Sequence, residues 1–190
     1  VVGGTLSAGG SNAINMWYDA DIDPHMRRTM NRPIPLGHAT PKFALVFGAL
    51  IAALGSSLFL LVSVKAAFWS AFSVLFYVLV YSIWLKRRTP QNIVIGGLAG
   101  STPPLIGWAA AAGDSIAGSN MLDLGSPVPW MLFFLIFLWT PPHFWALALY
   151  RSGEYGKVNI PMMNEVKGAH HTLFQSKVYC FLLFLLGSVP

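Results

Sequence analysis

The sequence predicts an all-α, polytopic transmembrane helical bundle, and three observations carry that prediction. Only 10% of the residues are charged while 55% are hydrophobic, where soluble domains carry about a quarter charged residues. So few charges cannot clothe a soluble protein of 190 residues. The apolar residues also fall in uninterrupted blocks at 43–64, 66–85, 92–112 and 130–150, each matching the roughly 20 residues that a helix needs to cross a bilayer. Finally, the basic residues alternate between the connecting segments. Arg27, Arg28, Arg32 and Lys42 precede the first block, Lys86, Arg87 and Arg88 follow the second, and Arg151, Lys157, Lys167 and Lys177 follow the fourth. The other connections hold only Lys65, with Asp114 and Asp123.

That alternation is the positive-inside pattern, and it assigns the three basic segments to the cytoplasmic or mitochondrial matrix side. It also accounts for the net charge of +5 without a nucleic-acid partner; the expected surroundings are the lipid bilayer. Residues 1–18 read as the later part of a helix with no charged signal-peptide start, and 178–190 open a further span. The chain is therefore expected to form one membrane domain over 1–190, incomplete at both ends. A single cysteine, Cys180, permits no intrachain disulfide.

The most informative stretch follows the first helix. Asn15, Asp19 and Asp23 are four residues apart, so on an α-helix they share one face about 6 Å from one another. Carboxylates this close to hydrocarbon are functional candidates, since each costs roughly 2.5–3.5 kcal/mol at mid-bilayer. Oxygen ligands with few carboxylates suit Mg²⁺, which fills the rest of its shell with water and substrate phosphate. The stretch has no thiol, and its nearest imidazole is His25, which argues against a structural zinc site. Asp21 points away from this face and is expected to pair with Arg27 or Arg28. Asp23-Pro24 is expected to end the membrane helix and cap a second, short helix through Asn31. That helix would carry Arg27, Arg28 and Arg32, whose guanidinium forks match phosphate oxygens. The plainer alternative is a set of solvated helix-end charges.

Asn15-x-x-x-Asp19-x-x-x-Asp23, followed by Arg28-Thr29-x-x-Arg32-Pro33, resembles the first aspartate-rich motif of the UbiA-type intramembrane prenyltransferases. Three further stretches resemble the haem-farnesylating branch of that family. They are Leu85-Lys86-Arg87-Arg88-Thr89-Pro90-Gln91-Asn92, Pro103-Pro104-Leu105-Ile106-Gly107-Trp108, and Pro142-His143-Phe144-Trp145 through Leu149-Tyr150-Arg151. The resemblance implies a bundle of nine membrane helices, of which this chain holds about six. It implies Asn15, Asp19 and Asp23 as magnesium ligands, with Glu154 as the acidic residue of a second motif. Lys86, Arg87 and Arg88, with Arg28 and Arg32, are implied as diphosphate-binding cations. The implied reaction joins farnesyl diphosphate to a vinyl group of haem b with addition of water, giving haem O; haem b is then a substrate and Mg²⁺ the cofactor. A haem A synthase or terminal oxidase assembly factors are the implied partners, and a bacterial cell inner membrane or mitochondrial inner membrane the implied location. Two departures fall beside the motifs. Ala20 replaces the usual basic residue, and Asn164-Glu165 stands where Pro-Val is usual, which bears on the loop 152–167.

Trp17, Trp108, Phe144, Trp145 and Tyr150 are candidates for the aromatic surroundings of an allylic cation, or else for packing and interfacial belts. His143 sits in an apolar span, where an ionisable side chain usually faces a cavity. It is read either as a haem contact or as a neutral side chain bonding a carbonyl freed by Pro141-Pro142. His25, His38, His170 and His171 are read as solvated loop residues. Thr102-Pro103-Pro104 and Thr140-Pro141-Pro142 are expected to break two spans in comparable places, and Gly96, Gly97 and Gly100 to allow close helix approach. An aromatic quinone precursor or another tetrapyrrole as acceptor, and a transporter with midplane acids, are the competing readings.

Overall fold

The computed structural model describes residues 1–113, 118, 120–151, 153 and 155–188. These residues form helices and turns, with no strand among them. Helix α1 (Val2–Tyr18) is followed by a 3-10 turn at Asp23–His25. Helix α2 (Pro41–Leu58) begins with Pro41 at the first helical position and is capped by the Thr40 hydroxyl, which accepts from Phe43 N at 3.2 Å. Helix α3 (Val64–Leu75) runs on as a π-helix through Phe76–Leu85. Helices α4 (Asn92–Gly100) and α5 (Pro103–Ala112) share one span, and α6 (Val128–Tyr150) and α7 (Met163–Gly187) complete the chain.

Four helical runs are long and apolar enough to cross a membrane: Pro41–Leu61, Val64–Leu85, Asn92–Ala112 and Val128–Tyr150. They coincide with the four sequence blocks to within a few residues. At 1.5 Å per residue each reaches about 30–35 Å, the thickness of the hydrocarbon core. Large apolar side chains such as Phe43, Leu50, Leu79 and Phe134 are exposed along them, as a lipid-facing surface requires.

The α1–α2 pair holds the site in place, and small residues make it. A methyl group on Gly10 would lie 2.4 Å from Ala52 N, one on Gly55 2.4 Å from Ser7 N, and one on Gly48 2.7 Å from Gly10 O. The two backbones thus touch directly, the small-residue packing that joins helices where lipid removes any hydrophobic drive. Gly96 and Gly97 serve the expected close approach, to the Tyr81 ring and to Thr140, whereas Gly100 faces open space.

The two proline pairs behave differently. Pro103 has no N–H for the carbonyl of Ala99, and the helix breaks there. That carbonyl accepts instead from Ser73 Oγ at 3.0 Å and Thr102 Oγ1 at 2.9 Å, which ties α3 to the break. Helix α6, in contrast, continues through Pro141 and Pro142, so the second expected break does not interrupt it. Helix α7 also departs from expectation. It begins at Met163, well before 178, and turns at Gly168, whose φ of +82° is non-helical. Lys167, His170, His171 and Lys177 therefore ride on a helix instead of a loop.

The end of the bundle away from the basic segments is closed by a strap. Four successive carbonyls, of Met121, Leu122, Asp123 and Leu124, accept from Trp69 Nε1 (3.1 Å), Trp130 Nε1 (3.2 Å), Lys65 Nζ and Trp108 Nε1 (3.0 Å) respectively. Leu124 is buried against Trp69, Leu105 and Phe133.

The α1–α2 contact yields a direct test. Gly10→Leu drives a side chain into the backbone of α2 and is expected to lower stability by about 1–3 kcal/mol. Gly9→Ala enters open space in a helix interior and is expected to be neutral or to stabilise by up to about 1 kcal/mol. Thermal melting of the detergent-solubilised protein distinguishes them.

Candidate active site at the end of α1

Helix α1 ends at Tyr18, where Asp19 leaves helical geometry at ψ 8°, five residues before the expected end at Asp23-Pro24; Pro24, having no N–H, keeps the ladder from resuming. Asp19 caps the helix, with its N–H on Asn15 O at 2.9 Å, and Asp23 N still reaches Asp19 O at 2.9 Å. Backbone spacing near helical is thus kept for one turn past the helix, and Asn15, Asp19 and Asp23 remain neighbours. The expected second helix through Asn31 does not form. Residues 26–32 run as turns, with Thr29 N on Met26 O at 3.0 Å and Arg32 N on Thr29 O at 2.9 Å.

All three side chains are buried, Asp19 and Asp23 at only 1% exposure. Asn15 Nδ2 donates to Asp19 Oδ2 at 2.9 Å, and Asn15 Oδ1 accepts from Ser82 Oγ at 3.1 Å. Lys86 Nζ pairs with Asp19 Oδ2. Arg32 Nη1 donates to both oxygens of Asp23 at 3.0 and 2.8 Å, and Thr29 Oγ1 donates to Asp23 O at 2.9 Å. Burial pushes the Asp23 carboxyl above the ordinary range, with the Asp19 charge adding and Arg32 opposing. Burial likewise depresses the Lys86 ammonium against the pull of Asp19. Each carboxylate thus has a cation of its own.

These groups form the rim of a cavity of about 350 Å³. Asn15, Asp19, Asp23, Arg28, Arg32 and Lys86 line it, and Ile22, Tyr77, Tyr81, Ile93, Phe144 and Met162 supply its less polar walls. The remaining sequence candidates lie elsewhere. Arg87 binds Asp21 and Arg88 is exposed. Trp108 belongs to the strap at the far end, and Tyr150 is 87% exposed. Trp145 is buried edge-on to Tyr179. His143 stacks on Trp139 with ring centroids 4.2 Å apart, and makes no hydrogen bond to a freed carbonyl among the described residues. Asp114 and Glu154 lie outside the described residues.

Tyr77, Tyr81, Ser82 and Asn92 were missed by the sequence reading. Their signal is faint. Tyr77 and Tyr81 are one turn apart just before the basic run, but their orientation depends on the π-helix, whose last bond runs from Lys86 N to Tyr81 O at 2.8 Å. Asn92 is buried and donates through Nδ2 to Thr89 O at 2.7 Å and to Pro161 O at 3.3 Å, tying the basic turn to the segment before α7. Glu165, of the departing Asn164-Glu165 pair, accepts from Gly153 N at 2.9 Å, a contact within the loop on which the departure bears.

The donor set suits a divalent ion that shares its shell with a ligand. Its protein donors are all oxygens, and Asp19 Oδ1 is buried with no hydrogen-bond partner among the described residues. Among the described residues no group of three or more acidic, histidine or cysteine side chains could hold a metal by itself. An ion seated here must therefore take further ligands from water or phosphate, as Mg²⁺ does.

The UbiA prenyltransferase family model matches residues 1–190. The chain is 50% identical over 186 residues to "Protoheme IX farnesyltransferase" of Parvibaculum lavamentivorans, covering 97% of this chain and 55% of that protein. It is 48% identical over 186 residues to the protein of the same name from Gluconobacter oxydans, with 97% and 56% covered. For that of Symbiobacterium thermophilum the identity is 49% over 183 residues, with 96% and 58% covered. The chain thus spans little more than half the length of the curated relatives it matches. No solved structure matches it significantly. With four bilayer-length apolar helices and a family match along its whole length, the chain is part of an integral membrane protein and belongs to the UbiA prenyltransferase family.

Proposed function

We propose that this chain carries the diphosphate-binding centre of an enzyme that transfers a farnesyl group from farnesyl diphosphate to a vinyl group of haem b, giving haem O. The observation that carries the reading is the joining of Asn15, Asp19 and Asp23 to Arg28, Arg32 and Lys86 around one cavity that is also lined by aromatic and aliphatic side chains. Identity near 50% to proteins named protoheme IX farnesyltransferase supports the choice of donor and acceptor.

The chemical demand is to break an allylic C–O bond away from water. Asn15, Asp19 and Asp23 would hold Mg²⁺, and Glu154, which lies outside the described residues, is proposed for the same role. When bound, the ion supplies positive charge to the leaving diphosphate. Lys86 and Arg32 are fixed cations beside it, set before the reaction begins and so costing no reorganisation, and Arg28 lines the same cavity. Arg87 and Arg88 add to the positive field of the same turn. As the diphosphate leaves with the bonding pair, C1 of the farnesyl group becomes cationic. Tyr77, Tyr81 and Phe144 offer ring faces to that cation in place of water. The haem vinyl carbon then bonds to C1, and water adds to the neighbouring carbon with loss of a proton, leaving a hydroxyethylfarnesyl group. We leave His143 out of the haem contacts, because its ring is stacked on Trp139.

The mouth of the site is assigned to the cytoplasmic or matrix face, since every cation of the cluster belongs to a basic segment under the positive-inside rule. The proposed location is a bacterial inner membrane or a mitochondrial inner membrane, a reading supported by the similarity to bacterial proteins named protoheme IX farnesyltransferase.

The complete protein, purified with Mg²⁺, farnesyl diphosphate and haem b, is expected to give a later-eluting product with the mass of haem O. Chelation of the metal should stop the reaction, and added Mg²⁺ restore it. Product with 4-hydroxybenzoate but none with haem would reassign the acceptor. Asp19→Ala and Asp23→Ala are each expected to lower kcat at least ~100-fold, the scale for losing one pre-set charge-stabilising group. Full turnover in both would remove the site assignment while leaving the family membership intact.

A further inference from the structure

Arg87 neighbours Lys86 in sequence but turns its guanidinium away from the cavity. Its Nη1 donates to Asp21 Oδ2 at 2.7 Å and its Nη2 to Asp21 Oδ1 at 2.7 Å, a two-pronged pair. Nη2 also donates to Tyr18 O at 2.8 Å, and the guanidinium lies 4.6 Å from the centre of the Tyr18 ring. The Tyr18 hydroxyl donates to Ile83 O at 3.1 Å. The end of α1 and the end of the π-helix are therefore fastened through both Tyr18 and Asp21. Asp21, expected to pair with Arg27 or Arg28, instead has its carboxyl lowered chiefly by the hydrogen bond from Arg87.

The fastening brackets the reactive pair. Asp19 lies between Tyr18 and Asp21 on one strand of the connection, and Lys86 directly precedes Arg87 on the other. Arg87 Nη2 stands 3.7 Å from Asp19 Oδ1, too long for a hydrogen bond. We propose that Arg87 is a positioning residue: clamped by Asp21 and Tyr18, it holds Lys86 and Asp19 in register at the rim and does not itself grip the diphosphate. This rests on the diphosphate-binding reading given above. A fork is what the task needs, because two parallel hydrogen bonds fix direction as well as distance, which a lysine ammonium does not.

A direct diphosphate contact and a clamp make opposite demands on Asp21. If Arg87 touches diphosphate, removing Asp21 frees it and leaves affinity unchanged or improved. If Arg87 is a clamp, Asp21→Asn and Arg87→Gln do the same damage. The test is binding of inorganic pyrophosphate with Mg²⁺ to the complete protein by titration calorimetry, together with KM and kcat for farnesyl diphosphate. Each single variant is expected to weaken pyrophosphate binding and raise KM by about tenfold, and the double variant no further, as for residues acting as one unit. Arg87→Lys should resemble Arg87→Gln, and the exchange Asp21→Arg with Arg87→Asp should recover part of the affinity. The proposal is overturned if Arg87→Gln weakens binding while Asp21→Asn does not, or if the two effects add. Absence of Mg²⁺-dependent pyrophosphate binding in the unsubstituted protein would instead remove the diphosphate reading on which the proposal stands.

Discussion

Two carboxylates buried at the end of one helix impose the constraint on which the rest of this structure depends. Asp19 and Asp23 are almost wholly removed from solvent, and an ionised carboxylate in that position is tolerable only beside a cation and hydrogen-bond donors. The chain supplies one cation to each: Lys86, distant in sequence, to Asp19, and Arg32, nine residues on, to Asp23. The two pairs therefore do more than balance charge. They fix where the basic turn at 86–88 and the turns at 26–32 stand relative to α1. A ligand bearing phosphate meets cations whose positions are already set by the carboxylates behind them.

Holding that arrangement falls to the helices. The glycine contacts of α1 with α2 place the backbone of α1, and Ser82 fixes the Asn15 amide from the π-helix. The π-helix has a wider turn than an α-helix, so it changes the direction in which the residues after it leave the bundle. Here those residues are Lys86 and Arg87, one facing the cavity rim and the other Asp21. The proline break at Pro103 contributes from the opposite side, where the Ala99 carbonyl is taken by Ser73 of α3. At the far end the tryptophan and lysine strap over 121–124 closes the bundle.

Much of this was legible in the sequence, and the parts that were not have identifiable physical causes. Hydrocarbon thickness enforces span length, so the four apolar blocks gave the four spans. Helical spacing gave the grouping of Asn15, Asp19 and Asp23, even though the helix stops at Tyr18, because the turn after it keeps similar spacing. The partner of Asp21 was misread because nearest-neighbour reasoning favours Arg27 and Arg28, whereas Arg87 arrives from a tertiary contact no local pattern encodes. The start of α7 was misread because Asn164, Glu165, Lys167 and the two histidines make its first turns polar, and polarity there imitates a loop. Both proline pairs were expected to break a span because proline leaves a backbone carbonyl without its partner; the helix ends at Pro103-Pro104 and persists through Pro141-Pro142. Trp108 and Tyr150 show the limit of assigning aromatic residues to a pocket, since interfacial and packing positions call for the same side chains.

The central claim, that Asn15, Asp19 and Asp23 with Lys86 and Arg32 form one metal–diphosphate centre, is tested most directly by an experimental structure of the complete protein. It should be determined with Mg²⁺ and a non-reacting thiodiphosphate analogue of farnesyl diphosphate. The account predicts density for an ion against the Asp19 and Asp23 carboxylates, phosphate oxygens on Lys86 and Arg32, and the isoprenoid chain running past Tyr81 and Phe144. Diphosphate bound elsewhere in the bundle, with Asp19 and Asp23 still paired only to Lys86 and Arg32, would contradict it.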